Sequence, residues 1–323
     1  MDTRVGAGKT VMIGAVRWSA LCANGRQILL DHGFTLRENL SGHPYTSEDM
    51  HREVANADAT VCGVEVWDSE VLDRASQLKV IARLGVGLDN VDLVEARRRG
   101  VDVVNVPGGN AIAVGELALA LILSVLRKVP TINSRVRVGA WDRYVGEELT
   151  GKRVGLIGFG ATAQALARLL AGFGCRLRAF DPYVSPAAAE ALGVELAPLA
   201  EVLDSDVVSV HAPHTPQTHH IINAETLALM PAGSVLVNVG RGPLVDEAAL
   251  VDALASGHLA GAGLDVFELE PVAADHPLLA FDSVVATTHA GADTAQAYDR
   301  IGISTAQAIV DVFAGRRPAH LAN

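Results

Sequence analysis

Residues 153–163 read RVGLIGFGATA, an apolar run followed by G-x-G-x-x-A, and the helical segment AQALARLLAGFG takes over at Ala163. Gly158 permits a tight turn, Gly160 lets the backbone approach a pyrophosphate, and Ala163 lets the following helix pack close to the strand. The amino end of that helix, at Ala161 and Thr162, would then present unpaired N–H groups to phosphate. The pattern alone is common among α/β proteins, and its setting adds weight. Asp181 ends the next apolar run, RLRAFD, at about the 20-residue offset where a carboxylate accepts the ribose hydroxyls. A carboxylate there repels a 2′-phosphate, which points to NAD over NADP. As an acid before Pro182, Asp181 also has the makings of a turn former.

Outward from this motif, apolar runs alternate with amphipathic segments in both directions. After it come VVSVHA, SVLVNVG, GAGLDVF and SVVATTH, the remaining strands expected of a dinucleotide-binding sheet. Before it, TVMIGAV, ATVCGVEV, KVIARLG and VDVVNVP alternate with SALCANGRQILLDHG, DSEVLDRASQL and DLVEARRRG, the signature of a second parallel, doubly wound sheet. A helix is predicted from Asn110 to about Arg127, followed by a loop containing Trp141, and a last helix from about Thr294 to Ala314. That last helix lies beyond the second sheet and is expected to return to the first domain.

The chain has 323 residues, 50% of them hydrophobic, and a formal net charge of −11. The length suits two domains. The acidity argues against a nucleic-acid partner, whose binding draws on Lys and Arg. The apolar stretch VGELALALILSVL contains Glu116 and falls short of the roughly 20 residues that cross a bilayer, and no export signal is read at the start, so a cytoplasmic protein off the membrane is expected. Cys22, Cys62 and Cys175 are odd in number and far apart, which fits reduced thiols. GAGKT at 6–10 lacks the leading glycine, with Thr3 in its place, and the preceding strand that a phosphate loop needs.

Three polar residues stand at the carboxyl ends of predicted strands: Arg241 after SVLVNVG, Glu270 after GAGLDVFEL, and His289 at the end of SVVATTH. Such ends converge on the ligand crevice of an open parallel sheet. The set suits carbonyl reduction. A guanidinium clamps a carboxylate and polarises the adjacent carbonyl, an imidazole exchanges the hydroxyl proton, and a carboxylate orients the imidazole. The histidines of HAPHTPQTHH, His211, His214, His219 and His220, lack the paired ligand spacing of structural zinc sites, so no metal is expected.

RLGVGLDNVD (83–92), NVPGGNAIAVGELALALIL (105–123), GLIGFG (155–160), VNVGRGPLVDEAAL (237–250), GLDVFELEP (263–271) and THAGADT (288–294) run in order through the chain. By these strings it resembles the D-isomer-specific 2-hydroxyacid dehydrogenase family, and is most similar to its phosphoglycerate-dehydrogenase-like branch. The resemblance implies a flavodoxin-like substrate domain (1–106 plus 292–323) and a Rossmann NAD domain (107–291) with a cleft between them. It implies NAD-dependent hydride transfer to or from a small D-2-hydroxy acid, and a homodimer formed through the cofactor domains. It makes Arg241, Glu270 and His289 catalytic. It gives the cofactor Gly158, Phe159, Gly160, Ala161, Thr162, Asp181, His211, Ala212, Pro213, Val239, Gly240, Arg241, Asp265, His289 and Gly291, with Asp265 at the nicotinamide carboxamide. The substrate falls to Val86, Gly87, Asn110, Arg241 and His289.

Departures from the family pattern qualify this. Ala161, Thr162 and Ala163 stand where a basic residue, a branched residue and glycine are usual, and Thr288 replaces a proline. CGVEVW at 62–67 lacks the basic residues that some phosphoglycerate dehydrogenases offer a substrate phosphate, and Glu65 would repel one. No regulatory domain is expected beyond Asn323. Two alternatives remain: a formate-dehydrogenase-like enzyme, whose histidine pairs with glutamine rather than Glu270, and an NADH-sensing, co-repressor-like binding protein.

Overall fold

The computed structural model describes residues 4–323, which pack as two units, residues 4–110 with Ala292–Asn323 and residues Ala111–Gly291. The division falls after Asn110 rather than at 106. The turn at 107–110 belongs to the first unit because Gly109 lies so close to Val106 and Ile301 that a Cβ would meet each at 2.8 Å.

In the first unit, β1 (Thr10–Ile13), β2 (Thr35–Glu38), β3 (Ala59–Cys62), β4 (Val80–Arg83) and β5 (Asp102–Val104) form a parallel sheet in the order β2-β1-β3-β4-β5. β3 is buried along its whole length, as expected of a parallel strand covered on both faces. β2, TLRE, is not among the strands read from the sequence. It is a charged, partly exposed edge strand, and its Arg37 and Glu38 are held by Glu53 and Arg26, so the apolar signal is absent there. The last helix, Ala295–Phe313, does return to this unit. Thr294 caps it by accepting the Ala297 N–H, and it packs on the helix Ala23–Asp31 with Gly25 against Gly302. The chain end follows, Asn323 Oδ1 accepting the Val103 N–H at 2.9 Å.

In the second unit, β6 (Arg153–Ile157), β7 (Arg176–Phe180), β8 (Val194–Leu196), β9 (Val207–Val210), β10 (Ser234–Asn238), β11 (Leu259–Leu264) and β12 (Val284–Ala286) are all parallel, in the order β12-β11-β10-β9-β6-β7-β8. β8 is the strand the sequence reading lacks, three residues at an edge. The helix Ala111–Leu126 packs on the helix Ala161–Leu170 through small residues, Gly115 against Ala165. A further helix, Val129–Arg137, stands where a loop was expected and buries none of its residues. No helix of the described residues is long and apolar enough to cross a membrane. Burial pushes the thiols of Cys22 and Cys62 up to about 12, so both behave as small apolar groups.

A Cβ at Gly25 would overlap the Gly302 carbonyl and stand 2.9 Å from the Trp18 ring. Gly25→Ala should therefore wedge the returning helix away and cost about 1–3 kcal/mol. Urea unfolding followed by the emission of Trp18 and Trp67, both buried in the first unit, measures it; an unchanged midpoint would show that the two helices do not pack this tightly.

Candidate active site

β6 and β9 are neighbours from which the second sheet runs in opposite directions, and such a switch point is where an open parallel sheet takes its ligand. Gly158 leaves β6 at φ +81°, and a Cβ there would stand 2.7 Å from the Ala212 nitrogen. Only glycine fits that turn. Gly160 has nothing within 4 Å of where its Cβ would be, so the N-terminus of the helix Ala161–Leu170 opens onto unfilled space suited to a phosphate. Asp181, at the end of β7, accepts the Phe159 N–H at 2.8 Å through Oδ2 and the Tyr183 and Val184 N–H groups through Oδ1. It thus serves as the turn former and ties the glycine loop to its neighbour strand. These features, a close glycine turn, an open helix N-terminus and a carboxylate at the next strand end, fit a dinucleotide.

His211 continues β9. Its Nε2 lies 2.9 Å from Ser209 Oγ and its Nδ1 3.2 Å from Thr162 Oγ1. The residue keeps some surface exposure, yet its ring is packed densely enough that burial pushes the imidazole down to about 3. The other three histidines lie apart from it. His214 Nε2 and His219 Nδ1 approach to 3.3 Å, His219 stacks on His220, and His220 pairs with Glu268 at 3.0 Å.

Beyond β10, Asn238 is 1% exposed and arranges the turn bearing Arg241. Its Oδ1 accepts the Gly240 N–H at 3.0 Å and its Nδ2 donates to the Arg241 carbonyl at 2.9 Å. Gly242 then passes so close to the Phe267 backbone that no side chain could replace its hydrogen, which joins the Arg241 turn to the segment carrying Glu270. Arg241 Nη1 donates to the Gly240 carbonyl at 2.8 Å.

Glu270 and His289 come together as the sequence proposes: Nδ1 of His289 is 2.8 Å from Oε2 of Glu270, whose Oε1 accepts the Phe267 N–H at 3.1 Å. Their side chains keep 37% and 48% of their surface, enough for a small molecule to reach the ring. His289 sits at φ +55°, an uncommon conformation for a residue with a side chain. Asp265, 2% exposed, holds it there: Oδ1 accepts from Thr287 Oγ1 at 2.6 Å and from the Ala290 N–H at 2.7 Å, Oδ2 accepts the Gly291 N–H at 2.9 Å, and its carbonyl accepts the His289 N–H at 2.8 Å. Asn238, Thr287 and Ser209 escape the sequence reading. The one available signal is a lone polar residue at or near the carboxyl end of an apolar strand.

In the first unit, the carbonyls of Val86 and Gly87 are engaged by Asn105 Nδ2 at 2.7 Å and Arg83 Nε at 3.1 Å, while their N–H groups meet no acceptor among the described residues. Two open amides in sequence make an anion cradle. Asn110 immediately precedes the helix Ala111–Leu126. Glu65, expected to repel a substrate phosphate, lies inside the protein. It is 3% exposed, its carboxyl turned in against the glycine backbones of the strand ends, and Val64 and Val66 take the outside.

Residues 119–291 match the family model described as D-isomer specific 2-hydroxyacid dehydrogenase, NAD binding domain. The chain belongs to the D-isomer specific 2-hydroxyacid dehydrogenase family, in its phosphoglycerate dehydrogenase-like branch. It is 47% identical over 266 residues to the D-3-phosphoglycerate dehydrogenase of Mycobacterium tuberculosis, a match covering 81% of this chain and 50% of that protein. The chain thus spans about half the length of such relatives. A glyoxylate reductase of Thermofilum pendens is 38% identical over 295 residues, covering 87% of this chain and 85% of that one. Among solved structures, the apo D-lactate dehydrogenase of Escherichia coli superposes with a TM-score of 0.86 at 30% identity, covering 98% of this chain and all of that one.

Because the His211 imidazole sits far below the ordinary value of about 6.5, the unfolded chain takes up a proton that the folded chain refuses between that value and about 3. Stability at this residue is full above the window and falls as pH drops through it. Denaturation curves across pH 7 to 4 should show a smaller loss for His211→Gln than for the natural chain; equal losses would mean the imidazole is protonated in the folded state.

Proposed function

We propose that this protein transfers a hydride between NAD(H) and a small D-2-hydroxy acid or its 2-keto acid. The observation that carries the reading is the pairing of Glu270 with His289 Nδ1 at 2.8 Å, in a chain of this family. With Nδ1–H given to the carboxylate, Nε2 is the nitrogen left to exchange a proton with the substrate oxygen. Glu270 holds the ring in the orientation that exchange needs. Arg241 clamps the substrate carboxylate and polarises the neighbouring carbonyl, and the open amides of Val86 and Gly87, with Asn110, are the first unit's residues for substrate. Bound NADH supplies the hydride. Gly158 to Thr162 receive the pyrophosphate and Asp181 the ribose, while His211, Ala212, Pro213, Val239, Gly240, Asp265 and Gly291 line the rest of the cofactor's place. Glu270 where a formate-type enzyme has glutamine speaks against that alternative. The partly exposed His289–Glu270 pair favours turnover over mere sensing of NADH.

The test is turnover of a panel of 2-keto acids with NADH and NADPH across pH. NADH should be preferred, because a 2′-phosphate would meet Asp181. Reduction consumes a proton and oxidation releases one, so reduction should decline and oxidation climb as pH rises. Arg241→Ala should weaken the keto acid more than the cofactor. The absence of turnover with every acid, or parallel pH trends in the two directions, would defeat the reading.

A homodimer is part of the proposal. In the second unit, the fully surface-lying helix Val129–Arg137 is followed by Val138, Trp141 and Val145, exposed to 76%, 84% and 87%. Apolar exposure on that scale in one stretch marks an association surface, and a second copy of the chain is the partner we infer. Sedimentation velocity should show a dimer that Trp141→Ala weakens; a natural chain that sediments as a monomer would exclude it.

A further inference from the structure

The first sheet has a switch point of its own, between β1 and β3. The chain there is Gly14–Ala15 after β1 and Gly63–Val66 after β3, stitched together by the Gly14 and Ala15 N–H groups donating to the Val61 carbonyl at 3.0 and 3.3 Å. The Glu65 carboxyl fills this spot. A Cβ on Gly14 or on Gly63 would come within 3.0 or 3.2 Å of its oxygens. Oε2 accepts the Gly63 N–H at 2.5 Å, and Oε1 is buried with no hydrogen-bond partner. A backbone amide at a strand end thus binds the chain's own carboxyl as it would bind a ligand anion.

The open amides of Val86 and Gly87 lie on the adjacent strand end. The Leu84 N–H donates to the Cys62 carbonyl at 2.9 Å, and Asn90 Nδ2 donates to the carbonyls of Glu65 at 2.6 Å and Gly63 at 3.2 Å. A keto acid whose carboxylate is held by those amides therefore has Glu65's position as its neighbour.

Resting on the reading above, we propose that Glu65 determines specificity: it occupies the anion position of this switch point and restricts the substrate to 2-keto acids whose C3 substituent is absent or short and uncharged. Two cations stand in residues 14–17, 62–67 and 83–90, and both are committed. Arg83 donates to the Leu84 carbonyl at 2.7 Å and to the Gly87 carbonyl, and Arg17 pairs with Asp293 at 2.7 Å. Val64 and Val66, exposed to 63% and 56%, make the outer lip apolar. Burial already holds the Glu65 carboxyl above its ordinary range, with Arg83 the opposing charge; Tyr45, whose own proton Glu65 helps to retain, is the other titratable group facing it from outside the β3 and β4 ends. A substrate phosphate would have to sit beside that carboxyl as a second anion or force it to take a proton.

The experiment compares NADH-dependent reduction of glyoxylate, pyruvate and hydroxypyruvate with that of 3-phosphohydroxypyruvate and 2-oxoglutarate. The natural chain should favour the uncharged group by on the order of a hundredfold in kcat/KM, the scale of a like-charge clash. Glu65→Ala, and Glu65→Gln if the alanine variant does not fold, should narrow that ratio about tenfold or more. Calorimetric titration with inorganic phosphate supplies an arm that needs no turnover: the variants should bind phosphate beyond what the natural chain takes at its glycine loop and amide cradle. Near-equal use of the charged acids by the natural chain, or folded variants whose ratio and phosphate binding are both unmoved, would overturn the role of Glu65. Failure to reduce any keto acid would instead defeat the dehydrogenase reading, and the phosphate titration would still decide this one.

Discussion

A carboxylate buried just after β11 fixes the turn that carries His289. Asp265 accepts the amides of Ala290 and Gly291 and the hydroxyl of Thr287, and its own carbonyl receives the amide of His289. A turn that places a histidine at positive φ stores strain, and it persists where the surroundings over-determine it. Four hydrogen bonds from one residue do so here. The imidazole then keeps its two side-chain torsions, and Glu270 restrains them by engaging Nδ1. The placing of the imidazole thus comes from backbone bonding first and from its carboxylate partner second.

The same device recurs at the other strand ends. Asp181 binds three backbone amides and so ties the glycine turn to β7. Asn238 binds one amide and one carbonyl and so shapes the approach to Arg241. Glu65 takes the amide of Gly63. Parallel strands leave unpaired polar groups where they end, and a buried polar side chain that satisfies them makes a rigid platform. What differs among these positions is whether the side chain has spare capacity. Glu65 alone of the four leaves an oxygen buried without a partner, and that imbalance sets it apart from a purely structural residue.

Much of this was legible in the sequence because it rests on local chemistry. The glycine turn at 158–160, the acid at 181, the alternation of apolar runs with amphipathic helices, and the polar residues at three strand ends all follow from what individual residue types can do in a short segment. The two sheets and the return of the last helix follow from the same pattern, since a parallel strand buried on both faces must be apolar throughout and an amphipathic helix must find a face to cover.

Tertiary structure decided the rest. The edge strands β2 and β8 carry charges and little apolar signal, so only pairing with β1 and β7 makes them strands. The helix Val129–Arg137 buries nothing within the described residues, so no burial pattern announced it. Asn238 and Ser209 bond only two or three residues along, to Gly240, Arg241 and His211, and Thr287 bonds to Asp265 22 positions away, contacts that leave no mark in an apolar pattern. The burial of Glu65 was not legible either, because alternation cannot say which way a loop residue turns once its strand has ended. Its direction was settled by Gly14, 51 positions away in the sequence, whose missing side chain leaves the space that the carboxyl fills.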